Sequence, residues 1–351
     1  MHPVAPPTRT ILVANPTART GRAARSIERA MQALERARLD PVFLPTRPGG
    51  ETVPDLAARI EAGDVARVVY LGGDGTFAEA AKGIILARER TGIDVPLGML
   101  PMGTANDQGR SFGIPAGERR IEQNVAIIRR GVEQWMDAGR IFAFDADGAC
   151  VAQDLWFDNC GFGLSAQILW ARNRDRDLVG RLPVLRRIYR DKVIYTVAAL
   201  RSLLTGALTG GKRFAARITV DDTAHTFDNV TDVVLLDTIL YAGDWVFDPK
   251  TKADDGLFEI VVVRGHTDWA AAAISSHKKN PVTEDDLAVL GIPRRQILKG
   301  RTIEIQLNRP PGTPPVFTQI DGEEWAVADH YRVENLFHHL RIIVPENPHF
   351  L

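Results

Sequence analysis

Residues 9–131 alternate short apolar runs with amphipathic stretches, and that alternation limits the fold more than any other feature. "RTILVANP" (9–16), "LDPVFLPT" (39–46), "ARVVYL" (66–71) and "VPLGMLPMG" (95–103) read as buried strands. Between the first two, "GRAARSIERAMQALERAR" repeats Ile27, Met31 and Leu34 at helical spacing among charges. "TVPDLAARIEAG" reads as a short helix, with Pro54 in its first turn and Gly63 at its end. Further helices are expected from about Phe77 to Arg90 and over "ERRIEQNVAIIRRG". Strands that alternate with helices imply a parallel α/β sheet. Ligands of such sheets bind beyond the carboxyl ends of the strands.

Three turns fall at those ends: residues 15–22, residues 72–76 ("GGDGT") and "PMGTANDQGR" (101–110). Each is rich in Gly, Asn or Asp, and each leads into a helix. Three glycines in four residues carry an entropic penalty, which suggests that something approaches the backbone closely at Gly72, Gly73 and Gly75. The N–H groups of a helix start, with the helix dipole, bind phosphate. Asp74 and Asp107 are anionic and suit a Mg²⁺ shell better than direct phosphate contact. Plain βα turns with capping Thr and Asp are the alternative. Three such loops at one edge, two of them with a carboxylate, favour a nucleotide site.

The remaining features narrow the class. A chain of 351 residues exceeds one ordinary core, so two domains are expected. The formal charge of −1 gives no basic field for nucleic acid, and no apolar run reaches the 18 residues of a membrane span. The first residues lack a signal-peptide core, and two cysteines, Cys150 and Cys160, make no disulfide framework. A cytoplasmic setting is expected. From Ile141 onward short β runs dominate, as in "RFAARITVDDTAHTF", "NVTDVVLLDT", "LFEIVVV" and "RTIEIQLN".

"LGMLPMGTANDQGRSFGIP", taken with "GGDGT", resembles the signature of the diacylglycerol kinase catalytic family, which includes sphingosine, ceramide and bacterial lipid kinases. Three further stretches resemble that family's motifs in order: "NPTARTGRA", "FDNCGFGLSAQ" and "YAGDWVFDPKTKADDGLFEIVVV". A fourth, "QIDGEEW", resembles its final D-G-E element. The resemblance implies an NAD-kinase-like α/β domain over about 8–138, then a β-sandwich over 139–328. Residues 329–351 return to the first domain as a strand. It implies an ATP- and Mg²⁺-dependent kinase of diacylglycerol or a related lipid alcohol. A kinase of sphingoid bases, ceramide or another alcohol, and a non-catalytic nucleotide-binding regulator, stay open.

The resemblance also implies roles. Gly72, Gly73, Gly75 and Thr76 cradle the ATP phosphates. Gly103, Thr104 and Asn106 complete the cleft, with Asn15 and Arg22 on the nucleotide. Asp74 and Asp107 hold Mg²⁺, joined by Glu323. Asp321 is the base, and Asp255 is a metal or structural residue. Asp321-Gly322 is also a strong hairpin signal by itself. The pattern departs from the family in five places, among them Asp237 where an asparagine is usual and Pro249-Lys250-Thr251 where P-x-A is usual. Thr20, flanked by Arg19 and Arg22, stands where a lysine is usual; Ala242-Gly243 replaces a glycine pair; and Phe258-Glu259 replaces L-x-D. "LVGRLPVLRRIYRDKVIYTVAALRSLLTG" (178–206) mixes apolar and basic residues. It reads either as a crossover helix or as a surface for peripheral membrane contact. A homodimer is compatible with the sequence.

Overall fold

The computed structural model describes residues 8–18, 22–180, 213–241, 245–264, 282–283, 288–289 and 296–346. The chain divides into two compact units, Met1–Ala138 with Phe337–Leu351, and Gly139–Leu336.

In the first unit the elements run β1 (Arg9–Ala14), α1 (Arg22–Arg36), β2 (Pro41–Pro45), α2 (Thr52–Glu61) and β3 (Val65–Gly72). They continue with α3 (Asp74–Thr91), β4 (Leu97–Pro101), α4 (Asp107–Ser111) and α5 (Ile121–Arg130). The strands pair in parallel in the order β2-β1-β3-β4, and the end of β18 (His330–Ile343) adds to β4 at Ile342 and Leu97. The strands are buried on both faces, as a covered parallel sheet requires. Leu12, Ala14, Val69, Leu71 and Leu100 pack against Ile27, Ala30 and Leu34 of α1 and Val125 and Ile128 of α5. Tyr70 points to the opposite face, where its ring meets Phe77 of α3 edge-on at 5.5 Å. α2 lies against α3 so closely that a Cβ on Gly83 would come within 2.8 Å of Leu56 Cδ2. Strand order reverses between β1 and β3, and such a reversal opens a crevice at the carboxyl edge. The turns after Ala14, Gly72 and Pro101 all end at that edge.

The helix after β3 starts earlier than its composition suggests. Glycine and aspartate are poor helix formers, so the sequence places its start near Phe77. In the structure Gly73 is the N-cap and Asp74, Gly75 and Thr76 form the first turn. The glycine-rich stretch is therefore not a loop but a one-residue junction between strand and helix. α4, a five-residue helix that begins at Asp107, is not apparent from the sequence.

The second unit holds two sheets. β5 (Glu133–Phe144), β6 (Cys150–Trp156), β8 (Phe214–Val220), β9 (Thr223–Val230), β15 (Thr302–Asn308) and the start of β18 form one. The other has the order β14 (Ile297–Gly300), β12 (Phe258–Val263), β10 (Asp232–Leu236), β7 (Asn159–Gly163), β16 (Thr318–Ile320) and β17 (Glu323–Trp325). Two-residue strands β11 (Trp245–Val246) and β13 (Val282–Thr283) pair with each other. Alternate residues of both sheets meet in one core, including Phe214, Ala216 and Ile218 on β8, Ile303 and Ile305 on β15, and Phe258 and Ile260 on β12. That is a sandwich, and it follows from the period-two alternation of these strands. The outer face of the second sheet is covered as well. Val234, Leu236, Val261 and Val263 pack under Leu164 of α6 (Leu164–Gly180), with Tyr241 and Phe247. This explains why 233–236 of β10 and 260–263 of β12 read as unbroken apolar runs.

Candidate active site

The turn after β3 and the turn after β4 are locked together in the first unit. Gly72 C=O accepts the N–H groups of Met102 and Gly103, at 2.6 and 3.2 Å. A Cβ on Gly103 would lie 2.5 Å from Gly73 Cα, and one on Gly73 would lie 3.2 Å from Gly103 Cα. A Cβ on Gly72 would overlap Thr76. The protein's own packing accounts for these three glycines: the Gly103 backbone passes Gly73 at a separation no side chain permits, Gly73 is tight against the same crossing, and Gly72 leaves room for the Thr76 side chain of its own segment. Gly75 differs. It is exposed in the first turn of α3, and a Cβ there would meet nothing.

Asn106 holds the second turn in shape. Its backbone is left-handed, with φ 55° and ψ 44°. Its side-chain Oδ1 accepts the Gly103 N–H at 2.6 Å, and its Nδ2 donates to the Gly103 C=O at 2.9 Å. This two-bond clasp occupies the side chain that sequence reasoning assigns to the cleft. The Asn106 N–H donates to Asp74 Oδ2 at 3.0 Å, joining the two turns through a carboxylate. Asp74 Oδ1 is buried and has no hydrogen-bond partner among the described residues. Burial pushes the Asp74 carboxyl above its ordinary range. The backbone N–H groups of Asn106, Gln108, Asp74 and Asp107 oppose that shift. Asp107 is buried in the first turn of α4, and Thr104 is exposed. After β1, Asn15 is exposed and its Oδ1 accepts the N–H and hydroxyl of Thr17, at 2.9 and 2.8 Å. Residues 19–21, the side chain of Arg22, residues 242–244 and residues 181–212 lie outside the described residues. The substituted first-motif position, Ala242-Gly243 and most of the basic stretch at 178–206 therefore carry no structural account.

The D-G-E element of the second unit is a two-residue hairpin between β16 and β17, with Asp321 at φ 48° and Gly322 at φ 76°. Positive φ at both positions is the type I′ geometry. Here the local hairpin signal and the family motif describe the same residues. The Asp321 carboxylate accepts three consecutive backbone N–H groups. Phe157 reaches Oδ1 and Oδ2 at 3.1 and 3.0 Å, and Asp158 and Asn159 reach Oδ1 at 2.8 and 3.2 Å. The Asp321 N–H donates back to the Asn159 C=O at 2.8 Å. Residues 157–167 resemble a family motif, and the resemblance implies no role for them. Their role here is to present this row of donors, and no side-chain pattern reports backbone direction. Glu323 is exposed beside the turn. Asp255 sits in a separate turn before β12, where its Oδ1 accepts the Leu257 N–H at 3.1 Å. The departure at Glu259 also has a local explanation. Glu259 is buried and takes Lys299 Nζ at 2.7 Å from the paired strand, while Lys299 also reaches Asp248 at 3.0 Å.

No three His, Cys, Asp or Glu side chains gather into a metal cluster among the described residues. The oxygen chemistry of the first unit nonetheless fits a hard cation such as Mg²⁺. Asp74 presents a buried carboxylate oxygen with no hydrogen-bond partner, and Mg²⁺ keeps several waters and takes few protein ligands.

A parallel α/β unit with strand-end glycine junctions, followed by an antiparallel sandwich, is the architecture of the NAD-kinase-like and diacylglycerol-kinase-like folds. The structure is similar to a diacylglycerol kinase from Bacillus anthracis, with TM-score 0.63 at 18% identity over 97% of both chains. It is also similar to yeast NADH kinase, with TM-score 0.52 at 12% identity over 98% of this chain and 86% of the other. Residues 9–141 match the family model of the diacylglycerol kinase catalytic domain, so the resemblance read from the motifs holds for that domain. A protein named diacylglycerol kinase from Mycobacterium tuberculosis is 26% identical over 251 residues, 71% of each chain. A Pseudomonas savastanoi pv. phaseolicola protein named "Probable lipid kinase YegS-like" is 30% identical over 146 residues, 38% of this chain and 46% of its own. Among the described residues no helix is long and apolar enough to cross a membrane.

Proposed function

We propose that this lipid kinase transfers the γ-phosphoryl group of ATP, with Mg²⁺, to the hydroxyl of diacylglycerol or a closely related lipid. The observation that carries this reading is the contrast within the β3–α3 junction. Gly72, Gly73 and Gly103 are explained by the protein's own packing, but Gly75 is not. An exposed glycine in the first turn of a helix, beside a buried carboxylate oxygen without a partner, suits a phosphate and its cation.

In this reading Gly73, Gly75, Thr76 and Thr104 line the phosphates, with Asn15 and Arg22 on the nucleotide. Asp74 and Asp107 would hold Mg²⁺. The cation would neutralise charge that builds on the phosphate oxygens. Asp321 is held by Phe157, Asp158 and Asn159 chiefly through Oδ1. Oδ2 is the oxygen assigned to the proton. The lipid hydroxyl oxygen forms its bond to the γ-phosphorus as its proton passes to Asp321. The bond from that phosphorus to the bridging oxygen breaks, and ADP leaves. Asp255, capping its own turn, is assigned a structural role. Attack at a membrane-held hydroxyl implies peripheral contact with lipid.

The test is transfer from radiolabelled ATP in mixed micelles with Mg²⁺ and a panel of diacylglycerol, ceramide, sphingosine and monoacylglycerol. Label reaching diacylglycerol, and not in Asp74→Asn, is the expected result. Label reaching only a sphingoid lipid overturns the acceptor. No label in any lipid, with ATP still bound by titration, overturns the kinase reading in favour of a nucleotide sensor.

A further inference from the structure

Behind the Asp321-Gly322 turn runs a chain of buried polar side chains. The Gly322 N–H donates to Gln319 Oε1 at 2.8 Å. Gln319 Nε2 donates to Asn159 Oδ1 at 2.6 Å. Asn159 Nδ2 donates to Asp158 Oδ2 at 2.7 Å, and the Thr238 hydroxyl donates to Asp158 Oδ1. Asp158, Asn159, Thr238 and Gln319 are all buried, between 1% and 5% exposed.

The direction of this chain is fixed at both ends. A backbone N–H can only donate, so Gln319 must turn its oxygen toward Gly322. Its nitrogen is then left for Asn159, whose own nitrogen is left for Asp158. An ionised carboxylate accepts on both oxygens, so Asp158 is the natural terminus. The chain returns to its start, because Asp158 and Asn159 also donate their backbone N–H groups to the Asp321 carboxylate. Three of its members therefore grip the turn: Asp158 and Asn159 at the Asp321 carboxylate, and Gln319 at the Gly322 N–H. A buried network of this kind holds one geometry when every member is satisfied, and fails when one is reversed.

We infer that Gln319, Asn159 and Asp158 are positioning residues for Asp321, acting as a one-directional hydrogen-bond relay that fixes the angle at which its carboxylate meets the acceptor hydroxyl. This rests on the role proposed above for Asp321. No atom of the relay exchanges a proton with substrate; its effect is on orientation, and small displacements of a reacting group carry large losses in rate.

The relay can be reversed on paper, which gives its test. Gln319→Glu keeps an acceptor for Gly322 but sets a second acceptor against Asn159 Oδ1. Adding Asp158→Asn lets the Asn159 amide turn over and restores every pair with the carboxylate at the other end. Four proteins, wild type, Gln319→Glu, Asp158→Asn and the double variant, are assayed with ATP, Mg²⁺ and diacylglycerol micelles, beside Asp321→Asn. The expected result is a kcat loss of about 10–100-fold in Gln319→Glu at unchanged KM for ATP, with recovery to within a few-fold of wild type in the double variant. Wild-type kcat in Gln319→Glu while Asp321→Asn is inactive overturns the relay and leaves the base in place. A double variant no better than the worse single variant also overturns it. Full turnover in Asp321→Asn overturns the role of Asp321 instead. Should Gln319→Glu not fold, Gln319→Met removes both polar ends without adding charge, and unchanged kcat there counts against the relay in the same way.

Discussion

The two Asp-Gly corners differ in what their carboxylates lack. At the β3–α3 junction, Asp74 is half-buried; its Oδ2 takes the Asn106 N–H at 3.0 Å, and its Oδ1 is buried with no hydrogen-bond partner among the described residues. At the β16–β17 hairpin, Asp321 is half-buried as well, but its carboxylate takes three consecutive backbone N–H groups. The first carboxylate is destabilised as an anion by its surroundings and the second is held by them. A protein keeps the first arrangement where a cation is to be bound, and the second where a group must keep its place. Replacing each Asp by its neutral isostere should therefore separate function from stability at one corner and not at the other.

The largest effect is expected at Asp74. Asp74→Asn should lower turnover about a thousandfold while leaving the melting temperature equal or higher, because a buried charge is removed and the Asn106 N–H keeps an acceptor. A fall in melting temperature would mean that Asp74 serves the fold. Asp321→Asn should lower turnover by about 100-fold or more and should also destabilise by about 1–3 kcal/mol. Its amide nitrogen would face backbone N–H groups that can only donate. Thermal unfolding of the two variants side by side checks the contrast, and equal melting temperatures would remove it.

The glycines give a finer version of the same comparison. Gly103→Ala should destabilise by about 1–3 kcal/mol, since its Cβ meets Gly73 Cα at 2.5 Å. Gly75→Ala should stabilise by about 0.5–1 kcal/mol, as alanine is the better helix former. It should nevertheless raise the KM for ATP by about tenfold, equivalent to about 1.4 kcal/mol. Gly73→Val would not make this distinction, because Gly73 abuts the Gly103 backbone and the variant would disturb the loops with or without nucleotide. An unchanged KM in Gly75→Ala would take α3's first turn out of the site.

The smallest effect is expected at a third carboxyl, this one fully buried. Asp232 accepts the N–H and hydroxyl of Ser165, at 2.8 and 3.0 Å, at the start of α6. Burial raises its carboxyl to about 8, against the hydrogen bonds from Ser165. A raised folded-state value means that the folded protein holds the proton more tightly than the unfolded chain. The stability it contributes is complete below the ordinary value of 3.8 and is lost as pH rises through about 8. Within that window stability should fall by at most about 1.4 kcal/mol per pH unit from this group. Asp232→Asn, which can keep both Ser165 contacts, should lack that slope in a series of denaturant titrations.

The strands and helices of residues 9–131 were legible because their periodicities are local, and so were the β runs of the second unit. The extent of the α3 helix was not. Asp74 and Gly75 have weak helix propensity, and the Gly72–Met102, Gly72–Gly103 and Asp74–Asn106 hydrogen bonds from the neighbouring turn support the helical turn they form. The candidate residues Gly73, Asp74, Gly103, Asn106 and Asp107 were legible as types and as turns. That Asn106 spends its side chain on Gly103 rather than on a ligand was not legible, since nothing in "GTAND" reports a left-handed Asn106.

By itself the sequence determined which stretches are strands and helices, that the first of them form a parallel sheet with Gly- and Asp-bearing corners at one edge, and that the motifs resemble those of lipid kinases. These properties are written in short-range periodicity and in residue type. The tertiary structure alone decided which glycines serve the protein and which is left open, which of Asp74 and Asp321 is under-bonded, and that Gln319, Asn159 and Asp158 stand in line behind one turn. Those facts depend on contacts between segments as far apart as Asn159 and Gln319, with |i−j| of 160. Hydrogen-bond direction and close backbone approach arise only once such segments meet.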